Sequence, residues 1–147
     1  MIQRIQSVYL LLAGIVLAFG FCVPIVTFSD KASLNASALT DISGEYISTP
    51  WGVLFFSVLS IITALCTIFS YKNRHRQIIL TNVLLGFILF LCICIVAYSW
   101  AYGIKNEISF SPAYGMVLPI LAYILGWLAR RSIRKDEELV RAADRIR

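Results

Sequence analysis

Residues 51–71 read WGVLFFSVLSIITALCTIFSY, twenty-one positions without a charged side chain. At 1.5 Å per residue a helix of that length reaches about 31 Å, enough to cross a hydrocarbon core of about 30 Å. Its apolar residues do not alternate with polar ones as in a half-buried strand, and they cover all sides of a helix rather than one stripe. Three more such runs flank it: VYLLLAGIVLAFGFCVPIVTF at 8–28, an uncharged stretch at 77–104 whose most polar interior residue is Asn82, and SPAYGMVLPILAYILGWLA at 111–129. The rest of the chain holds too little sequence to bury four segments that are apolar all round. The sequence therefore predicts one all-α domain: a four-transmembrane-helix bundle with spans near 7–28, 51–71, 78–103 and 112–129 and an outer loop at 29–50. A charged, amphipathic helix follows at 130–147.

Composition agrees. Of 147 residues 59% are hydrophobic and 14% charged, against roughly 25% charged in an ordinary soluble domain. The first run competes with a cleaved signal peptide, but it carries on through Pro24, Ile25, Val26, Thr27 and Phe28 instead of closing in small residues, which favours a retained helix.

Lysine and arginine set the expected orientation. Arg4, Lys72, Arg74, Arg76 and the seven basic residues after Ala129 fall on one side of the spans, and only Lys31 and Lys105 fall on the other. The positive-inside rule then places both termini in the cytoplasm. Thr49 with Pro50, and Ser111 with Pro112, resemble capped helix starts on the outer side. Trp51, Tyr98, Trp100 and Tyr102 fall near the outer interface, and Tyr71 and Trp127 near the inner one. Pro24 and Pro119 lie inside apolar runs and read as bends. An outer loop of this length suggests a small folded cap or short strand, with Ser, Thr, Asn and Gly favouring turns.

No Asp, Glu, Lys, Arg or His falls within the four runs. Such groups usually mark proton relays and catalysis inside bilayers, so the reading is non-enzymatic, with no cofactor, metal or catalytic residue. Cys92 and Cys94 form CxC rather than CxxC, and no base stands near them, so the four cysteines read as packing thiols. His75 has no ligand partners in its loop. Ser57, Ser60, Thr63, Ala64 and Thr67 form a small, weakly polar stripe suited to close helix packing and to hydroxyl bonds across helices. Gly14, Ala18 and Cys22 form a matching stripe on the first helix, and Gly86 allows close approach on the third.

The tail RRSIRKDEELVRAADRIR starts with Arg130, Arg131, Arg134 and Lys135, which suit anionic headgroups better than nucleic acid because Asp136, Glu137 and Glu138 follow at once. Beyond them Ile133, Leu139, Val140, Ala143 and Ile146 share one arc of a helical wheel.

The opening MIQRIQSVYLLLAG and the closing IRKDEELVRAADRIR, joined by four spans, resemble a small uncharacterised four-helix inner-membrane protein family of Bacteroidota over essentially the whole chain. The resemblance implies a multi-pass protein of a bacterial inner (cytoplasmic) membrane and brings no catalytic residues with it. It draws attention to Gln3, Arg4 and Gln6 at one end and to Asp136, Glu137, Leu139, Val140, Arg141, Asp144 and Arg145 at the other. Together these form the candidate interaction surface. The leading expectation is an accessory or scaffolding protein whose termini contact each other or a membrane or cytoplasmic protein, with a homo-oligomer as a further option beside the lipid bilayer itself. The alternative is a small transporter or channel for a neutral or lipid-like substrate.

Overall fold

A computed structural model describes residues 3–29, 32–41, 44, 46–70 and 73–144, excepting the side chains of 3–5, 74–75, 110 and 140–144. Helices α1 (Gln3–Phe19), α2 (Trp51–Phe69), α3 (Arg74–Asn106) and α4 (Val117–Asp144) carry most of the chain. Helix α1 packs on α2 and α4, and α3 packs on α2 and α4, so the four close into a ring of neighbours.

The ring follows from residue spacing. Buried positions step by four and three along each helix: Gln6, Leu10, Ala13 and Leu17 on α1, and Val53, Ser57, Ser60, Ala64 and Thr67 on α2. The same steps join Gln77, Thr81, Leu84, Ile88, Leu91 and Ile95 on α3, and Pro119, Ala122, Gly126, Ala129, Ile133 and Asp136 on α4. This 3.5-residue repeat keeps one seam of each helix on its neighbours, as in coiled coils and up-and-down bundles. The outward faces are strongly apolar, with Leu11, Ile15, Phe55, Ile62, Phe90, Ile93, Ile120 and Ile124 all exposed. Helices α2, α3 and α4 are each long and apolar enough to cross a membrane, and the apolar part of α1, Gln6–Phe19, is shorter.

Small residues set the spacing within the ring. A Cβ on Gly126 would lie 3.1 Å from Leu85 Cδ2, and one on Gly14 would lie 3.9 Å from Ala64 Cβ. The small faces of α1 and α2 thus touch at Gly14, whereas Ala18 and Cys22 are exposed and Gly86 has open space beside it. The α2 hydroxyls do not bond across helices. Ser57, Ser60 and Thr63 donate to the carbonyls of Val53, Phe56 and Leu59 at 2.7 Å, and Thr67 donates to Thr63 at 2.6 Å. Each hydroxyl is satisfied within its own helix, which lets a polar group pack as a small one. Ser60→Ala is therefore expected to change stability by less than about 1 kcal/mol, and Ser60→Leu to cost about 1–3 kcal/mol by overpacking. Unfolding of the two variants in detergent micelles checks this.

The fold is not all-α. A five-stranded antiparallel sheet of order β4-β3-β2-β1-β5 closes one end of the ring. Its strands are β1 (Val26–Phe28), β2 (Ala32–Leu34), β3 (Leu39–Asp41), β4 (Tyr46–Ser48) and β5 (Phe110–Pro112). Val26, Phe28, Ala32, Leu34 and Leu39 point into the common core, where the Phe28 ring meets Tyr102 at 4.8 Å. Register places Thr40, Ser33, Thr27 and Ser111 in one row on the other face. Hydroxyls pair along that row, Ser33 with Thr40 at 3.0 Å and Thr27 with Ser111 at 2.9 Å. The Ser and Thr content of the outer segment thus marks the polar face of strands as well as turns.

Four features of the helix ends differ from the sequence reading. Helix α1 ends at Phe19, not near residue 28, because Gly20 loosens the chain and Pro24 bars Val23 from helical geometry. The apolar residues beyond it leave the helix with their backbone satisfied. Ile25 N–H donates to Leu34 O at 2.7 Å, Ala36 N–H to Gly20 O at 3.0 Å, and Ala113 N–H to Ile25 O at 3.1 Å. Buried non-helical backbone needs such internal partners. Ser111 and Pro112 form β5 rather than a helix start, a 3-10 turn follows at Tyr114–Met116, and Pro119 falls in the first turn of α4, where no intrahelical donor is lost. Helix α2 begins after Pro50 without a side-chain cap, and Thr49 Oγ1 pairs instead with the Tyr46 hydroxyl. Finally, the tail is not a separate helix: α4 runs unbroken from Val117 to Asp144.

Helix α3 ends on Glu107, whose φ of 55° is left-handed, while Ile108 N–H donates to Gly103 O at 3.0 Å. This is the six-to-one closure that usually carries glycine. Glu107→Gly is expected to stabilise the chain by about 0.5–1 kcal/mol, the relief of the left-handed cost less the entropy glycine adds to the unfolded chain. A rise in the thermal midpoint checks it.

Candidate interaction surface at the terminal end

Opposite the sheet, the start of α1, the end of α2, the start of α3 and the outgoing part of α4 meet. Here the seams turn polar. Gln6 is 3% exposed and Asp136 is 7% exposed, and Gln6 Nε2 donates a hydrogen bond to Asp136 Oδ2. On the other half of the ring Gln77, 4% exposed, points Nε2 at Thr67 O at 3.5 Å, and Thr81 donates to Gln77 O at 2.7 Å. One glutamine thus bridges α1 to α4 and another bridges α3 to α2.

The sequence groups Gln6 and Asp136 with the exposed interaction residues, and the structure places both inside. Asp136 takes the next seam position after Ala129 and Ile133, so the repeat that buries those two buries its carboxyl as well. Glu137 is half-buried and Leu139 is 54% exposed. Gln3, Arg4, Val140, Arg141 and Asp144 belong to α1 and α4 by their backbone, their side chains falling outside the described residues, and Arg145 lies outside them altogether. The apolar arc drawn through the tail divides: Ile133 is 1% exposed and packs on the ring, while Leu139 faces outward. Val140, Ala143 and Ile146 have no described side chains.

Gln77 is a bridge the sequence reading missed. The signal was present, since Gln77, Thr81, Leu84 and Ile88 already follow the four-three steps. The four cysteines are free, with Cys22 and Cys66 exposed and Cys92 and Cys94 half-buried. Cys94 Sγ lies 3.3 Å from where a Cβ on Gly52 would stand, so it fills space against the start of α2. Among the described residues no group of three His, Cys, Asp or Glu side chains is placed to hold a metal ion.

These features define a class: a helical protein with membrane-span-like helices, a small sheet at one end and a buried polar contact at the other. The chain belongs to the family described as Domain of unknown function (DUF4293), which matches residues 2–146. No curated protein matches it significantly.

Proposed function

We propose that the protein is a multi-pass component of a bacterial inner membrane, with all four helices crossing the bilayer and both termini in the cytoplasm, acting as a non-enzymatic accessory or scaffolding subunit. The orientation rests on the skew of lysine and arginine toward the terminal end. A transmembrane α1 is favoured by its place in the ring and by the apolar turn at 20–25, whose backbone partners let it continue at membrane depth.

The observation that carries the scaffolding reading is the contact between Gln6 and Asp136. It fixes the outgoing part of α4 against α1, so that the charged helix leaves the ring as a rigid extension rather than a loose tail. Beyond the basic cluster Glu138 and Leu139 are exposed on this extension, which gives a partner protein or a second copy of the chain a preformed surface. Nucleic acid fits poorly, because acidic residues interrupt the bases.

The transporter reading draws support from an apolar cavity of about 260 Å³ between α3 and β5, lined by Val26, Ile95, Val96, Ser99, Pro112 and Met116. Ligand pockets are commonly about 300–1,000 Å³, and the Ser99 hydroxyl is already used on Ile95 O at 2.7 Å. Scaffolding is the better fit. In-membrane crosslinking from Leu139 tests it: a specific protein adduct that Glu137→Lys/Glu138→Lys abolishes is expected. Recovery of lipid alone, with solute flux in reconstituted vesicles, would overturn it in favour of transport.

A further inference from the structure

One strip of α4 is chemically unlike the rest of the helix surface. Trp127, Arg130, Arg131, Arg134, Lys135 and Glu138 line a groove of about 520 Å³, open to the outside, with four cations against one acid. The Arg131 guanidinium sits over the Trp127 ring, 5.9 Å from its centroid. Arg130 Nε is shut off from solvent and meets no hydrogen-bond acceptor among the described residues. A buried donor without an acceptor costs about 1–3 kcal/mol, and more on a charged group.

Depth decides what the groove faces. Interfacial tryptophan marks the edge of the hydrocarbon, and the headgroup layer adds about 5–8 Å on each side. Arg130 and Arg131 lie three and four residues beyond Trp127, about 4.5–6 Å along the helix axis, which is phosphate depth. Arg134 and Lys135 lie one turn further and reach back on flexible stems. Their guanidinium and ammonium donors suit phosphate oxygens, and arginine can engage two at once.

We infer that this groove is a binding site for the headgroup of an anionic glycerophospholipid, its phosphodiester held between Arg130, Arg131 and Arg134. The inference rests on the membrane reading above and deepens it from a general liking for acidic lipid to one built site. The net positive charge of the groove selects against zwitterionic headgroups.

The test uses the full chain carrying Trp51→Phe and Trp100→Phe, which leaves Trp127 as the sole tryptophan, reconstituted in vesicles. Quenching of Trp127 is compared for brominated phosphatidylglycerol, phosphatidylethanolamine and phosphatidylcholine at equal mole fraction. Phosphatidylglycerol is expected to be favoured, by roughly fivefold for each cation that engages the headgroup. The preference should collapse toward unity in Arg130→Gln/Arg134→Gln and in the solvent-exposed pair Arg131→Gln/Lys135→Gln. It should survive Lys105→Gln, which removes a charge at the sheet end. Equal quenching by all three lipids, or an equal loss from Lys105→Gln, overturns the site while leaving the membrane reading intact. Quenching by none of them instead contradicts membrane insertion itself. Loss of the preference on adding millimolar inorganic phosphate would also overturn the proposal, because the groove would then be a soluble-anion site.

Discussion

Gln6→Leu is expected to destabilise the protein by about 1–3 kcal/mol, because it leaves a buried carboxyl oxygen of Asp136 without its amide donor. Asp136→Leu should cost at least as much, since it strands the Gln6 amide. The double replacement should cost clearly less than the two losses added, with a coupling of about 1–3 kcal/mol, because neither member of this pair is then left facing an apolar side chain. Asp136→Asn, which keeps a carbonyl acceptor in nearly the same shape, should fall between wild type and Asp136→Leu. The effect is local as well as global. Amide exchange should quicken at the start of α1 and in α4 beyond Ile133, and stay slow in the β1–β2 hairpin. Strictly additive single losses would mean that the contact does not tie the two helices.

Gly115→Ala is expected to be strongly damaging for a single added methyl. A Cβ there would stand 2.5 Å from the Pro24 carbonyl oxygen and 2.9 Å from its carbon, and both are backbone atoms with little room to move. The same approach carries the hydrogen bond from Gly115 N–H to Pro24 O at 3.0 Å. Separating the segments to admit a methyl therefore breaks that bond and strains the neighbouring one from Ala113 to Ile25. A cost of about 1–3 kcal/mol for the clash, with about 1 kcal/mol more for the bond, is expected. Gly86→Ala is the matched control, since nothing lies within 4 Å of its Cβ position. It should be neutral or slightly stabilising, as alanine favours helix by up to about 1 kcal/mol. Thermal unfolding of the two variants in the same detergent separates them.

The helices were legible in the sequence wherever apolar character and helical geometry coincide. Residues 51–69 are uncharged throughout and form α2, and the small stripe from Ser57 to Thr67 is its buried face. Hydropathy alone misleads from Gly20 onward. It cannot tell helix from extended chain in a run that is apolar in either state, and the cues were conformational: Gly20, Pro24 and the β-branched residues around them. The sheet was half visible, because VTF, ASL and LTD each place a Thr or Ser between apolar neighbours or beside one, a period-two pattern too short to read without partners. Its fifth strand comes from residues 110–112, more than eighty positions from β1, and no local pattern announces that pairing. At the terminal end charge obscured spacing. Asp136 looks like a surface residue among Lys135, Glu137 and Glu138, yet the four-three steps through Ala129 and Ile133 point it inward. Reading the repeat past the end of the apolar run would have placed it.

Sidedness tests the central claim most directly. With the four native cysteines replaced, Asn73→Cys, Asn106→Cys and Leu139→Cys each present one exposed thiol to a membrane-impermeant reagent, at the terminal end, the sheet end and the tail. In cells with a permeabilised outer membrane, only the thiol introduced at Asn106 should label, and those introduced at Asn73 and Leu139 should react once the inner membrane is opened. A tag ahead of residue 1 should be protected in the same way. Labelling at positions 73 and 106 from the same side, or an exposed tag beside a protected residue 139, would contradict a four-span protein whose two ends meet in the cytoplasm.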